Sequence, residues 1–268
     1  MKALKKWLVV GCTLALLVGN VYAYGSLSVM GDWDIGGGLF APEIDLIASA
    51  SEQQVSSSYI DKIAIRYYLL SNSGSVITKN YNYELDSDYV EAYSNGVDLS
   101  GYADYVSYEG EGAAYYTNGR DNLEYFSADI EVPYQNVRSI EVTKDVDDSS
   151  MEELAQEYVQ YLVDNNLSSS VDITEAYRFT DLEDKKKFGN LRSIYMDLVM
   201  SSNIGDFAPY IYLNPEKDFG MVVMKDKDGE YEVRQLEATV QNSDSGQIER
   251  SRTNADENEK TIKWSLID

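Results

Sequence analysis

The sequence predicts an α+β protein, mostly antiparallel β, with one principal amphipathic helix at about 150–165 and one short helix at about 181–188. Three observations carry that prediction. Apolar and polar residues alternate with a period of two over 59–85. A single stretch, SSMEELAQEYVQYLVDNN (149–166), places apolar residues at helical spacing. After it, short alternating runs return, separated by turn-forming residues.

The elements follow in chain order. Residues 1–23 read as an export signal. Lys2, Lys5 and Lys6 form a basic start, Leu8–Val18 an apolar stretch, and VYA (21–23) the cleavage site, so Ala23–Tyr24 is the expected scissile bond. The apolar stretch is too short to span a bilayer comfortably, and no transmembrane anchor is expected in the mature chain. Residues 24–58 form a weakly patterned N-terminal segment. Gly36–Gly38, Pro42 and the serine-rich SASEQQVSSS (49–58) suggest loop or linker.

Residues 59–148 read as a tyrosine-rich β domain. In YIDKIAIRYYLL, Ile63, Ile65, Tyr67 and Leu69 share one strand face, with Lys62, Ala64 and Arg66 on the other. SNSG (71–74) is turn chemistry and SVITKNYNYEL alternates again, so 59–85 is a hairpin. From Asp86 to Gly119 the pattern weakens, and GYADYVSYEGEGAAYYTNG (101–119) reads as a glycine-rich surface loop. Two more strands are expected at 123–132 and 137–143, broken at Pro133.

Residues 149–240 combine a helix with an antiparallel sheet. Ser149 or Ser150 caps the helix, with Glu152 or Glu153 completing a capping box. In TDLEDKKKFG, Thr180 and Glu183 suggest a second box, Lys185–Lys187 face the negative end of the helix dipole, and Gly189 suits the position after the last turn. Strands are expected at 191–201, 208–213, 219–225 and 230–240, with a type I′ turn at Asp228-Gly229. Residues 241–268 are a polar loop and a C-terminal segment, TIKWSLI, apolar enough to dock as a strand. IEVPYQNVRSIEV (130–142), followed by the capped helix, resembles the closing strands and terminal helix of a PH-like barrel. That resemblance implies a barrel over 59–166 and no site residue.

Composition excludes much chemistry. The chain has no histidine and its one cysteine, Cys12, lies within the export signal. Ser-His-Asp and Cys-His catalysis and the usual zinc sites are therefore absent, and no cofactor is expected. Cleavage removes three lysines and no acid, taking the formal charge from −24 to −27. Such a surface repels phosphate backbones, so nucleic acid is not an expected partner.

The residues left for chemistry are carboxylates and tyrosines. Asp32 and Asp34 in GDWDIGGG share one face if extended, a weak oxygen-ligand pair for a hard cation. Glu109 and Glu111 in YEGEG are the best carboxylate pair for glycoside hydrolysis. Fourteen of the 23 tyrosines lie between Tyr59 and Tyr134, and their rings suit both half-buried strands and recognition surfaces. Tyr102, Tyr105, Tyr108, Tyr115 and Tyr116 are the candidate binding residues. The expectation is an exported (periplasmic or extracellular), non-enzymatic, envelope-associated binding or structural protein that recognises a glycan, peptide or protein. The alternative is a carboxylate-dependent hydrolase of envelope polysaccharide using Glu109 and Glu111 or Asp32 and Asp34.

Overall fold

A computed structural model of the chain describes residues 26–38, 41–53, 59–102, 105–117, 119, 121–132, 150–242 and 260–267. The export signal with Ala23–Tyr24, the strand expected at 137–143 and most of the polar stretch 241–260 lie outside the described residues. The protein is α+β and mostly antiparallel, as the alternation predicts.

Three antiparallel sheets are present among the described residues. The first contains β1 (Leu27–Gly38), β2 (Ala41–Glu52) and β5 (Tyr89–Asp98), in that order. The second runs β4 (Val76–Leu85), β3 (Ile60–Leu70), β6 (Tyr105–Tyr116), β7 (Asp121–Glu131). The third runs β12 (Lys260–Ile267), β11 (Tyr231–Asn242), β10 (Phe219–Lys225), β9 (Phe207–Leu213), β8 (Ala176–Tyr177). Helix α1 (Met151–Asp164), a 3₁₀ turn (Phe179–Leu182), α2 (Lys185–Phe188) and α3 (Leu191–Ser201) complete the fold.

Packing follows from which faces are apolar. The first two sheets form a sandwich: Ile44, Leu46, Ala48 and Ala50 of β2 meet Ile63, Ile65, Tyr67 and Leu69 of β3 in one core. At one side of the sandwich, Asn80 and Asn82 of β4 donate side-chain hydrogen bonds to the carbonyls of Tyr93 and Glu91 of β5, at 2.8 and 2.6 Å. These bonds tie two sheet edges that share no ladder. A second core lies on the other face of the four-stranded sheet. There Tyr68 and Leu70 pack with Leu191, Tyr195, Leu198 and Val199 of α3, and with Ile211 and Val222 of the five-stranded sheet. On the far face of that last sheet, Leu154, Tyr158 and Leu162 of α1 cover Tyr210, Tyr212, Met221 and Val223.

Several expectations need correction. The segments 27–38 and 41–52 are paired along their length, so Ser49–Glu52 belongs to a strand rather than a linker. The range 191–201 is a helix, not a strand. Its Leu191, Ile194, Met196, Leu198 and Val199 are buried on more than one side because α3 lies between two sheets, and that erases the amphipathic stripe. Of the strands in 59–131, β4, β3, β6 and β7 form an open sheet while β5 joins the first sheet, and α1 packs on the third, so the PH-like barrel is not formed.

Local chemistry at the helices largely follows the sequence. Ser150 Oγ accepts from Glu153 N and the Glu153 carboxylate accepts from Ser150 N, a complete capping box. At the second helix the cap is Asp184, which accepts from Lys186 N and Lys187 N, while Thr180 sits in the 3₁₀ turn. Gly189 ends that helix at φ 58°, where a Cβ would fall 2.0 Å from the Ile262 carbonyl oxygen of β12. The β10–β11 connection spans residues 226–230 and is not a type I′ turn, because only Gly229 and not Asp228 has a positive φ. Asp226 N donates to Glu230 O, and Gly229, at φ 89°, closes a turn to Asp226 O.

Candidate functional site

The stretch 101–119 is the key to the site, and it is mostly strand. β6 is a central strand, paired with β3 on one side and β7 on the other. Its inner face carries Val106, Tyr108, Gly110, Gly112, Ala114 and Tyr116; its outer face carries Glu109, Glu111, Ala113 and Tyr115. The glycines are there for close approach. A Cβ on Gly110 would lie 2.2 Å from the Phe126 ring, and one on Gly112 would lie 2.4 Å from Val29 of β1.

This placement corrects the surface-loop reading. Tyr108 is fully buried, edge-on to Tyr67, Phe126 and Trp33, so it is a core ring and cannot meet a ligand. Tyr116 is also buried and donates its hydroxyl to Glu52 at 2.6 Å. Tyr102 packs against the same core. Tyr105 and Tyr115 stay exposed, but at opposite ends of β6.

The two glutamates share a face but not an environment. Glu109 is buried under α3 and accepts the Tyr68 hydroxyl. Loss of water pushes its carboxyl up to about 7, against the Tyr68 hydrogen bond and the charges of Arg178 and Arg192. Glu111 commits Oε1 to Arg66 (Nε at 2.9 Å, Nη2 at 2.6 Å) and Oε2 to the Ser193 hydroxyl of α3 at 2.6 Å. Arg66 also pairs with Asp197, so the guanidinium pins α3 to the sheet. Lys79 does the same at the helix end, donating to the carbonyls of Val199, Met200 and Ser202.

Asp32 and Asp34 lie exposed on β1, with Asp34 opposite Asp45. Among the described residues no group of three or more His, Cys, Asp or Glu side chains is placed to hold a metal ion.

Because α3 covers only part of the outer face, an open cleft of about 570 Å³ remains beside it. Strand register builds its walls. One cross-strand row is Tyr81–Arg66–Glu111–Tyr125, the next Tyr83–Ala64–Ala113–Leu123, and the third Leu85–Lys62–Tyr115–Asp121. Ala64 and Ala113 make a low floor between taller neighbours, and Ser193, Asp197 and Met200 close the α3 side. Lys62 and Tyr83 adjoin the lining residues Tyr81 and Tyr115 without lining the cleft themselves: Lys62 Nζ lies 5.7, 4.8 and 5.4 Å from the ring centres of Tyr81, Tyr83 and Tyr115. A hydrogen bond with Tyr81 is the main cause that holds this ammonium above the ordinary lysine pKa, against a smaller opposing effect of burial.

Of the sequence candidates, the fold brings Glu111 and Tyr115 to this cleft and leaves the others elsewhere. Lys62, Ala64, Arg66, Tyr81 and Tyr83 were missed as site residues. The signal was present: the 59–85 hairpin already placed Lys62, Ala64 and Arg66 on one face, and its register would have set Tyr81 and Tyr83 beside them. A second concavity, of about 310 Å³, lies between the end of α3 and the β10–β11 loop. Its Asp206 accepts from the backbone of Asn203 and Lys227, which explains that carboxylate as a loop tie.

Fold and cleft together define an α+β protein with a partly covered sheet face and an aromatic-walled, mixed-charge groove. Compared with protein-family profiles, curated proteins and solved structures, the chain matches none.

Proposed function

We propose that the protein is an exported, non-enzymatic, envelope-associated binding protein that holds a glycan, peptide or protein segment in the cleft beside α3. The observation that carries this reading is the arrangement of Tyr81, Tyr83 and Tyr115 around Lys62, above the alanine floor of β3 and β6. Tyr81, Tyr83 and Tyr115 are 43%, 48% and 39% exposed, so much of each ring is open to a ligand. Rigid amphipathic rings lose little entropy on binding, and a cleft of this volume suits a small ligand or a short segment of a larger one. Export is supported by the basic, apolar and small-residue pattern of 1–23.

The hydrolase reading draws less support. Glu111 is committed to Arg66 and Ser193, and Glu109 is buried, so neither is poised as a free acid or base at the cleft.

Two variants test binding. Ala113→Trp fills the floor, and Tyr81→Ala with Tyr83→Ala strips one wall. On glycan and peptide arrays, ligands held by the wild type should weaken by about tenfold or more in both variants, the loss expected of aromatic anchors. The wall variant changes exposed rings, so its melting temperature should stay near that of the wild type. Ligands bound equally by all three proteins would refute the cleft. Export is tested by N-terminal sequencing of protein recovered outside the cytoplasm: Tyr24 as first residue supports it, and an intact Met1 refutes it.

A further inference from the structure

The cleft offers more than rings, and its charges narrow the ligand class. Arg66 is already neutralised by Glu111 and Asp197. Lys62 is not: among the described residues no carboxylate pairs with it, although the chain has 46 acidic residues against 22 basic ones. Its ammonium is instead steadied by the π faces of three tyrosines, each within 6 Å. A free lysine side chain gives up rotamer freedom when it meets an anion. Here the rings of β4 and β6 already restrict that freedom, so Lys62 is a preorganised receptor for a negative group.

The residues in and beside the cleft favour a polyol. Tyr81 and Tyr83 stand 5.8 Å apart, tilted by 33°, and offer adjoining apolar faces. Around them are three phenol hydroxyls and Asp121, which can form hydrogen bonds with many hydroxyl groups. The flat alanine floor admits a ring lying along the sheet. Three carboxylates line the cleft itself: Glu111 and Asp197 are paired with Arg66, and Asp121 stands in the cross-strand row of Lys62 and Tyr115, while acidic groups farther than about 8 Å are largely screened at physiological salt.

We propose that the ligand of the cleft is an acidic saccharide, with a sugar ring against Tyr81 and Tyr83 and its carboxylate on Lys62. This rests on the binding reading above and deepens it. Asp121 accepts from the sugar hydroxyls on the opposite side. The chemistry is non-covalent recognition, and no bond in the sugar is broken.

The test titrates the full-length protein, by calorimetry, with three acidic oligosaccharides bearing galacturonate, glucuronate or N-acetylneuraminate. Each is paired with its methyl-ester counterpart, which keeps the ring and loses the charge. At least one acidic member should bind about tenfold or more tightly than its ester. Lys62→Met, which keeps most of the stem, should erase that preference of acid over ester, and Lys62→Arg should restore part of it. If no acidic member binds, if ester and acid bind equally, or if Lys62→Met binds the acid as well as the wild type, the acidic ligand is refuted. Neutral ligands lost in Ala113→Trp would then leave the cleft itself standing. Acid binding unaffected by Ala113→Trp, by the paired tyrosine variant and by Lys62→Met would remove both the cleft and its ligand.

Discussion

Glu109 is a buried carboxyl whose ionisation the fold disfavours, and replacing it with glutamine isolates the cost of its charge. Its carboxyl is raised from the ordinary 4.5 to about 7, chiefly because burial beneath α3 strips it of water. The folded state therefore holds a proton that the unfolded state releases between those two values. By linkage, stability is fully present below about 4.5, declines as pH rises toward 7, and levels off above. At 1.36 kcal/mol per pH unit, the loss amounts to roughly 3 kcal/mol. For a protein of this size that is about 6–12 °C in melting temperature. Glu109→Gln keeps the shape and an oxygen for the Tyr68 hydroxyl, but never ionises. Thermal melts of both proteins from pH 4.5 to 8 separate this effect from that of every other carboxyl. The gap between the two melting curves should shift by that amount in favour of the variant as pH rises. A fixed offset from burying the new amide is irrelevant to the slope. Curves that run parallel across the range would refute the reasoning.

Two further predictions concern packing. Gly110→Ala pushes a methyl into the Phe126 ring, so it should destabilise by about 1–3 kcal/mol in urea denaturation, with Gly110→Ala/Phe126→Leu coupled by double-mutant cycle. Zero coupling would mean that the ring does not fix the glycine. Arg66→Met strands Glu111, which is 4% exposed, and should cost about 3–5 kcal/mol; Arg66→Met/Glu111→Gln should recover part of that loss in the same assay.

Where the period was clean, the sequence was readable. The β3 alternation gave the residues that enter the sandwich core, and Ser150 with Glu153 gave the first turn of α1. The strands near 208–213, 219–225 and 230–240 and the docking of the C-terminal segment follow from the same rule. The failures have a common physical cause. β6 looks like a loop because Gly110 and Gly112 replace the side chains that usually announce a strand, and the reason they do so sits on β7 and β1. Helix α3 looks like a strand because two sheets, distant in sequence, bury it from both sides.

The candidate site divides along the same line. Sequence alone determined the absence of histidine, the acidic balance, the concentration of tyrosine and the exclusion of several catalytic chemistries. Tertiary structure decided which tyrosines are core and which are wall. Tyr108 and Tyr115 sit seven residues apart on one strand, and an odd separation sends them to opposite faces. It also decided that Glu111 is neutralised and that Lys62 stands among three rings, because both depend on strand register and on where α3 ends. Local propensity can name the strands, but only pairing between them fixes which side chains meet.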